Sequence, residues 1–291
     1  MVRDWFSFLP DLPMGFWRGF YTLTFIGMAV FFSGPYLSAQ PVAPTPVYLQ
    51  KTSLLIPIDE PATSIFLTFD DGPTAKVSLA MARVLSQHRA YGTFFVVGQR
   101  ARSANSRFIM SNLALEGHLI ANHTFDHSRS YANEAAFEGA LRAGTRAIAD
   151  FLPSSGLVFF RSPGGVWNQT RLRWTNQSAG GGRDGEFASY VGPIHWNVGS
   201  GITSDGRAIT DAADWQCWNQ GASPEVCAIG YLNRIRANYA AGRPSIVLLH
   251  DLDLKSVRLL ELIFQGLAQD GVGYEFKRLD SARWPTSYAS F

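Results

Sequence analysis

Ile65-Phe66-Leu67-Thr68-Phe69-Asp70-Asp71-Gly72-Pro73 is the stretch from which the rest of the chain can be read. Its first residues are apolar, β-branched and aromatic, the pattern of a buried strand. Two adjacent carboxylates at the exit of such a strand need a reason. On an ideal strand Asp70 and Asp71 would point to opposite faces. The Gly-Pro turn that follows breaks that regularity and can bring both into one cleft. Like charges held that close repel unless a cation or an arginine compensates them. Solvated turn carboxylates are the plain alternative, so the pair has to be weighed against the remainder of the chain.

Outward from this stretch, strand-like and helix-like segments alternate. Ala75 to His88 reads as a helix, Thr93 to Gly98 as a strand, and Ser106 to Glu116 as a helix ended by Gly117. A short strand from His118 to Ala121 runs into Asn122-His123, and a long helix follows from Asn133 to Phe151. Val158-Phe159-Phe160 is a strand that ends at Arg161-Ser162-Pro163-Gly164-Gly165. Arg171 to Gly182 reads as a weak helix, Ile194 to Val198 as a strand, and Pro224 to Ala241 as a helix with proline in its first turn. Ile246 to Leu249 is a buried strand leading to His250-Asp251; a helix from Ser256 to Gln269 and a strand at Tyr274 to Phe276 complete the series. This alternation predicts an α/β fold, a mostly parallel sheet with helices outside it. Such folds keep their chemistry just beyond the strand ends, and Asp70, His123, Arg161 and His250 all fall there.

The chain has 291 residues, enough for one large or two small domains. Its formal charge of +2 gives no basic field that would point to nucleic acid. Cys217 and Cys227 are its two cysteines, with no Cys-x-x-Cys, which excludes a thiolate zinc finger. From Gly19 to Leu37 no charged residue occurs, and Arg3 and Arg18 lie on the N-terminal side. Residues 1–37 therefore read as a signal peptide or an uncleaved signal anchor. Residues 38–57, with four prolines, read as an extended linker, and 58–291 as the catalytic part. Either targeting reading exports that part to a periplasmic or extracellular location and makes a Cys217–Cys227 disulfide reasonable. An uncleaved anchor would add the membrane as a partner.

His123-Thr124-Phe125-Asp126-His127 is the second element of the site. Imidazoles at i and i+4 share one side of a helical turn. With one carboxylate they supply two nitrogens and an oxygen and leave positions open for water, as in catalytic zinc sites. The spacing is weak alone and becomes informative beside Asp70-Asp71.

Five short motifs then fall in order between about residues 64 and 251. Thr68-Phe69-Asp70-Asp71-Gly72-Pro73 and His123-Thr124-x-x-His127 are followed by Arg161-x-Pro163-Gly164, Asp211-x-x-Asp214-Trp215 and Leu248-Leu249-His250. In this the chain resembles the polysaccharide deacetylases of carbohydrate esterase family 4, the NodB homology domain. The resemblance implies a distorted (β/α) barrel of the NodB type and a metal-dependent deacetylase acting on a carbohydrate. It departs from the family at Ser128, where a proline usually follows the second motif's last histidine, which puts the loop's geometry in question. The stretch from Gly180 to Gly206 also looks longer than a minimal domain needs.

Deacetylation needs an activated water, a stabilised oxyanion and a proton for the leaving group. A divalent ion, zinc first with cobalt or another as alternatives, fits Asp71, His123 and His127. Spacing does not say which aspartate is ligand and which is base; the resemblance assigns Asp70 as base and Asp71 as ligand. Arg161 is a fixed cation that would stabilise ionised Asp70. Pro163-Gly164 could present a backbone N–H to the oxyanion. His250, the remaining histidine at a strand end with an apolar approach, is the candidate general acid. Asp214 would accept its hydrogen bond, with Asp211 the weaker choice. Trp215 and Leu248 would wall an acetyl-sized pocket, while Trp218 fits pocket or core alike. His88, His118 and His195 fit no motif and read as structural.

The leading expectation is a hydrolase that removes acetyl groups from N-acetylated sugars of a polymer, peptidoglycan or another N-acetylglucosamine polymer first. The alternatives are an O-deacetylase such as an acetylxylan esterase, a non-haem iron oxygenase using two histidines and a carboxylate, and a carbohydrate-binding protein without catalysis.

Overall fold

The computed structural model describes residues 60–153, 157–166, 190–199 and 213–282, with short backbone strands at 47–48, 201–202 and 208–209. All of its described elements belong to one unit, Ala43–Phe291. In chain order they are β1 (Val47–Tyr48), β2 (Ser64–Asp70), α1 (Val77–Gln87), β3 (Gly92–Val96), α2 (Ala104–Leu115), β4 (Leu119–Asn122), α3 (Glu134–Ile148), β5 (Val158–Phe159), β6 (Tyr190–Gly192), β7 (Gly201–Ile202) and β8 (Ala208–Ile209). They are followed by α4 (Asp214–Asn219), α5 (Pro224–Ala240), β9 (Ser245–His250), α6 (Leu254–Ala268) and β10 (Glu275–Phe276).

β2 is the central strand. β9 runs parallel along one side of it, from Ile65↔Ser245 to Asp70↔His250. On the other side β3 pairs with its second half and β10 with its start. β3 pairs with β4, and a single bridge, Asn122↔Phe160, leads on toward β5 and then β6. Beyond β6 the chain returns to β9 through the bridge Val198↔Val247. All these pairings are parallel; the β7–β8 ribbon is antiparallel.

The period-2 rule places the side chains. Phe66, Phe95, Leu119, Ala121, Phe159 and Ile246 share the cluster enclosed by the strands. Their neighbours Ile65, Leu67, Phe69, Phe94, Val96, Ile120, Val247 and Leu249 point the other way and pack with α1, α2, α5 and α6. Both faces of β2 are covered, which is why the strand reads as a continuous apolar run. Continuing the inward series by twos gives Asp70 on β2, His123 after β4, Arg161 after β5, and Leu248 and His250 on β9. The side chains of the site are thus the last members of the inward-facing rows.

Side-chain caps fix the helix starts. Ser103, Asn133 and Ser223 each accept from the backbone N–H three residues on, and Asp253 from the one two residues on.

One expectation changes, and others fall where the structure is not described. Ile194 to Val198 does not form a strand. The Asn197 side chain takes the Ile246 N–H (2.8 Å) and donates to the Pro244 carbonyl (2.9 Å), so side-chain bonds replace part of a ladder. The helix expected at Arg171 to Gly182 lies outside the described residues, as do the apolar N-terminal segment and the linker apart from β1, whose backbone pairs with β6. No helix among the described residues is long and apolar enough to cross a membrane. Cys217 and Cys227 form a disulfide that joins α4 to α5.

Candidate active site

The strand ends open into a cleft of about 370 Å³, lined by Asp70, Asp71, His123, His127, Gly164, Trp215, Leu248 and His250 among others. Asp70 completes β2 and points inward by parity. Asp71 should point away. It is returned to the cleft by its own backbone, which takes the left-handed conformation at φ +78°, one residue earlier than the Gly-Pro turn invoked from sequence. Asp71 N–H donates to the Phe95 carbonyl (3.2 Å), and the Asp71 carbonyl accepts from Arg100 Nη1 (2.6 Å).

His123 and His127 do not share a helical turn. Thr124 and His127 have φ of +63° and +56°. The carbonyls of Thr124 and Phe125 accept from the N–H groups of Gly98 (2.9 Å) and Gln99 (2.8 Å), and Thr124 N–H goes to Asn122 Oδ1 (2.6 Å). These sideways bonds use the groups a helix would need. The missing proline costs the loop little, because the Ser128 N–H is taken by Asp126 Oδ1 at 3.2 Å.

The loop brings both imidazoles to one carboxylate oxygen. Asp71 Oδ1 stands 2.9 Å from His127 Nε2 and 3.3 Å from His123 Nε2. It is buried and has no hydrogen-bond donor. His123 Nδ1 faces the Arg161 carbonyl at 2.9 Å. A carbonyl only accepts, so Nδ1 carries the proton and Nε2 presents a lone pair. Ligand atoms of Asp71, His123 and His127 all lie within 4.8 Å of one another. A buried acceptor without a donor, facing two imidazole nitrogens, fits a divalent cation.

Arg161 is 1% exposed, so it is no surface ion pair. Its Nη1 donates to Asp70 Oδ1 (2.7 Å) and Thr68 Oγ1 (2.9 Å), and its Nε to the Ile194 carbonyl (2.8 Å). The guanidinium lies 4.3 Å from the centre of the Phe95 ring. The free oxygen of Asp70, Oδ2, is 3.6 Å from His123 Nε2.

Across the cleft, His250 Nδ1 meets Asp214 Oδ1 at 2.6 Å. Asp214 is fully buried, and its Oδ2 accepts from the His250 N–H (3.0 Å) and from Ser256 Oγ. Burial pulls the His250 pKa down, but the Asp214 carboxylate, with Asp70 and Asp71 behind it, outweighs that and lifts it to about 9. Asp211 lies outside the described residues.

Pro163 is buried, and Gly164 lines the cleft at φ +62°, where a Cβ would come within 2.7 Å of Arg129 Nε. Trp215 is 46% exposed at the rim, and Leu248 sits deeper on β9. Trp218 both lines the cleft and packs on the core, its indole N–H donating to Ser256 Oγ (3.2 Å). His88 stacks on Phe264 (4.0 Å), and burial pulls His118 and His195 down to about 4.

Sequence reading missed four residues around this site. Thr68 sits one inward step below Asp70, and Trp196 lines the cleft. Asp251 is fully buried behind the Asp70–Gly72 turn, with burial lifting it to about 7, and Ser78 donates to it. A polar residue inside a motif, Thr68, or directly after one, Asp251, was the one available signal.

The sequence profile of the family described as polysaccharide deacetylase matches residues 58–180. A chitooligosaccharide deacetylase of Bradyrhizobium sp. is 33% identical over 190 residues, 65% of this chain and 70% of that protein. The chain belongs to the polysaccharide deacetylase family, carbohydrate esterase family 4. It is a carbohydrate deacetylase, which sets aside the oxygenase reading. The deacetylase is also 28% identical over 188 residues to a peptidoglycan-N-acetylglucosamine deacetylase of Bacillus cereus, 64% of this chain and 72% of that one. In fold it is similar to a family 4 carbohydrate esterase from Streptomyces lividans, with a TM-score of 0.53 at 21% identity, over 77% of this chain and 98% of the other.

Proposed function

We propose that this deacetylase hydrolyses the acetamido group of N-acetylglucosamine units in a polymer, peptidoglycan first, using a divalent ion, zinc first, on Asp71, His123 and His127. One observation carries the reading: the donorless Asp71 Oδ1 between two imidazole nitrogens, with Asp70 on one side and His250 on the other. When bound, the ion supplies Lewis acidity to a water and to the acetyl carbonyl.

The chain's own residues supply the rest. Asp70 is the base: Arg161 holds Oδ1, and Oδ2 is left to take a proton from the attacking water. Pro163-Gly164 borders the place where negative charge develops on the carbonyl oxygen. His250 is the acid. Asp214 fixes Nδ1, so Nε2 faces the cleft and gives its proton to the amine as the C–N bond breaks. Trp215 and Leu248 wall the acetyl group. The products are acetate and a free amino sugar.

Two further readings belong here. The parallel strands, joined by the Asn122↔Phe160 and Val198↔Val247 bridges, support a distorted (β/α) barrel. The disulfide supports export of the catalytic part, behind a signal peptide or anchor within residues 1–37.

The test is acetate release by residues 43–291, the unit that includes β1, from N-acetylglucosamine oligomers, peptidoglycan and acetylxylan, after chelation and metal add-back. Release from the N-acetylated polymers, lost on chelation and restored by zinc or cobalt, is expected. Release from acetylxylan alone would replace the amide reading with ester hydrolysis. Asp70→Asn should lower kcat by at least ~100-fold while zinc affinity, read by calorimetry, persists; normal turnover would remove Asp70 as base.

A further inference from the structure

Asp251 follows the candidate acid His250 in the chain, yet it faces the other side of the site. Its backbone N–H donates to the Asp70 carbonyl (3.3 Å), and its own carbonyl accepts from Thr74 Oγ1 (2.6 Å). Its carboxylate accepts from Ser78 Oγ through Oδ2. Ser78 Oγ accepts in turn from the Thr74 N–H at 2.7 Å, so a chain of bonds runs from the backbone two residues beyond the turn through Ser78 to Asp251. A Cβ on Gly72 would overlap the Asp251 carboxylate, which shows how closely the turn wraps it. The second oxygen, Oδ1, is buried without a partner. Burying a carboxylate on so few donors is unfavourable, and such a group calls for a reason other than packing.

Asp71 supplies that reason. Its left-handed backbone is disfavoured for a residue with a side chain and persists where the surroundings hold it. On one side the turn is held by β3 and its exit, through Asp71 N–H to the Phe95 carbonyl and Val97 N–H to the Gly72 carbonyl (3.1 Å). Asp251 holds it on the other. We propose that Asp251 is a positioning residue. It clamps the Asp70-Asp71-Gly72 turn so that the base and the carboxylate ligand keep their places relative to the acid on the adjoining residue. The role rests on the metal-hydrolase reading of the cleft.

The test compares Asp251→Ala, Asp251→Asn and Ser78→Ala with the wild type. Zinc affinity is read by calorimetry on stripped protein, kcat and KM are measured on N-acetylglucosamine oligomers, and Tm is recorded. Asp251→Ala should weaken zinc by ~10-fold or more, as loss of a residue supporting a ligand does, and lower kcat at unchanged KM. Ser78→Ala should move both in the same direction by less. Asp251→Asn keeps an acceptor for Ser78 and should recover most of each loss. A purely structural residue would lower Tm and leave zinc affinity and kcat per folded molecule alone, and that result in Asp251→Ala overturns the proposal. If Asp251→Ala does not fold, unchanged zinc affinity in Ser78→Ala overturns it instead. Amide exchange at Asp71 and Thr74, read without metal or substrate, should quicken in both alanine variants; unchanged exchange also counts against the clamp. A wild type that binds no divalent ion would sink the metal reading while this last measurement still reports on the turn.

Discussion

Arg161 buries a guanidinium against Phe95 and spends its donors on Asp70, Thr68 and the Ile194 carbonyl. Arg161→Met would leave Asp70 buried without its cation and should cost about 3–5 kcal/mol of stability, measured by urea unfolding. Arg161→Lys restores the charge but not the fork and should recover only part of that loss. At His250 the expectation concerns pH. The acid form is present below its pKa of about 9 and is lost as pH rises through that value. Asp214→Asn removes the charge that outweighs burial, so the pKa falls. The alkaline limb of the pH–rate profile should then move down by at least ~1 unit. A bound dication would lower the limb in both proteins, so the difference between them is the readout. An unmoved limb would separate His250 from the proton transfer. Asp70, Arg161 and His250 were legible because each closes an apolar strand on an inward step. Asp251 was not, because what singles it out is a turn 179 positions earlier in the numbering that wraps its carboxylate.

Among the elements, α3 does the least visible work. Gly144 lets it approach the loop that carries both histidines. A Cβ there would lie 2.6 Å from Asn122 Oδ1 and 2.9 Å from the Thr124 backbone. Gly144→Ala should therefore cost about 1–3 kcal/mol in unfolding and, on the proposed metal reading, weaken zinc binding, since the displaced loop carries two of the three proposed ligands. Wild-type zinc affinity in that variant would show that the loop tolerates a shift of α3. β2, β3, β4, β5, β9 and β10 and the helices α1, α2, α3, α5 and α6 were legible to within a few residues from apolar runs and caps, whereas β1, β6, the β7–β8 ribbon and α4 were not read. The histidine loop was misread as helical because a spacing of four is ambiguous. Its backbone partners, Gly98 and Gln99, come from another part of the chain, and sequence does not say where a carbonyl finds its donor. Ile194 to Val198 failed likewise, through the side chain of Asn197.

For the molecule as a whole, the disulfide between α4 and α5 steadies the helix that supplies Asp214 and Trp215. Replacing both cysteines by alanine should lower stability by about 2–3 kcal/mol in the chain-entropy account, seen as a lower midpoint in denaturant. Asp70 and His250 are register partners on neighbouring parallel strands. Their backbones are therefore about 4.8 Å apart, the interval between hydrogen-bonded strands. The sheet acts as a ruler for the proposed acid and base that no surface insertion can stretch. Rebuilding the rim of the cleft can change which glycan is admitted without re-tuning the spacing between the two groups proposed to move protons.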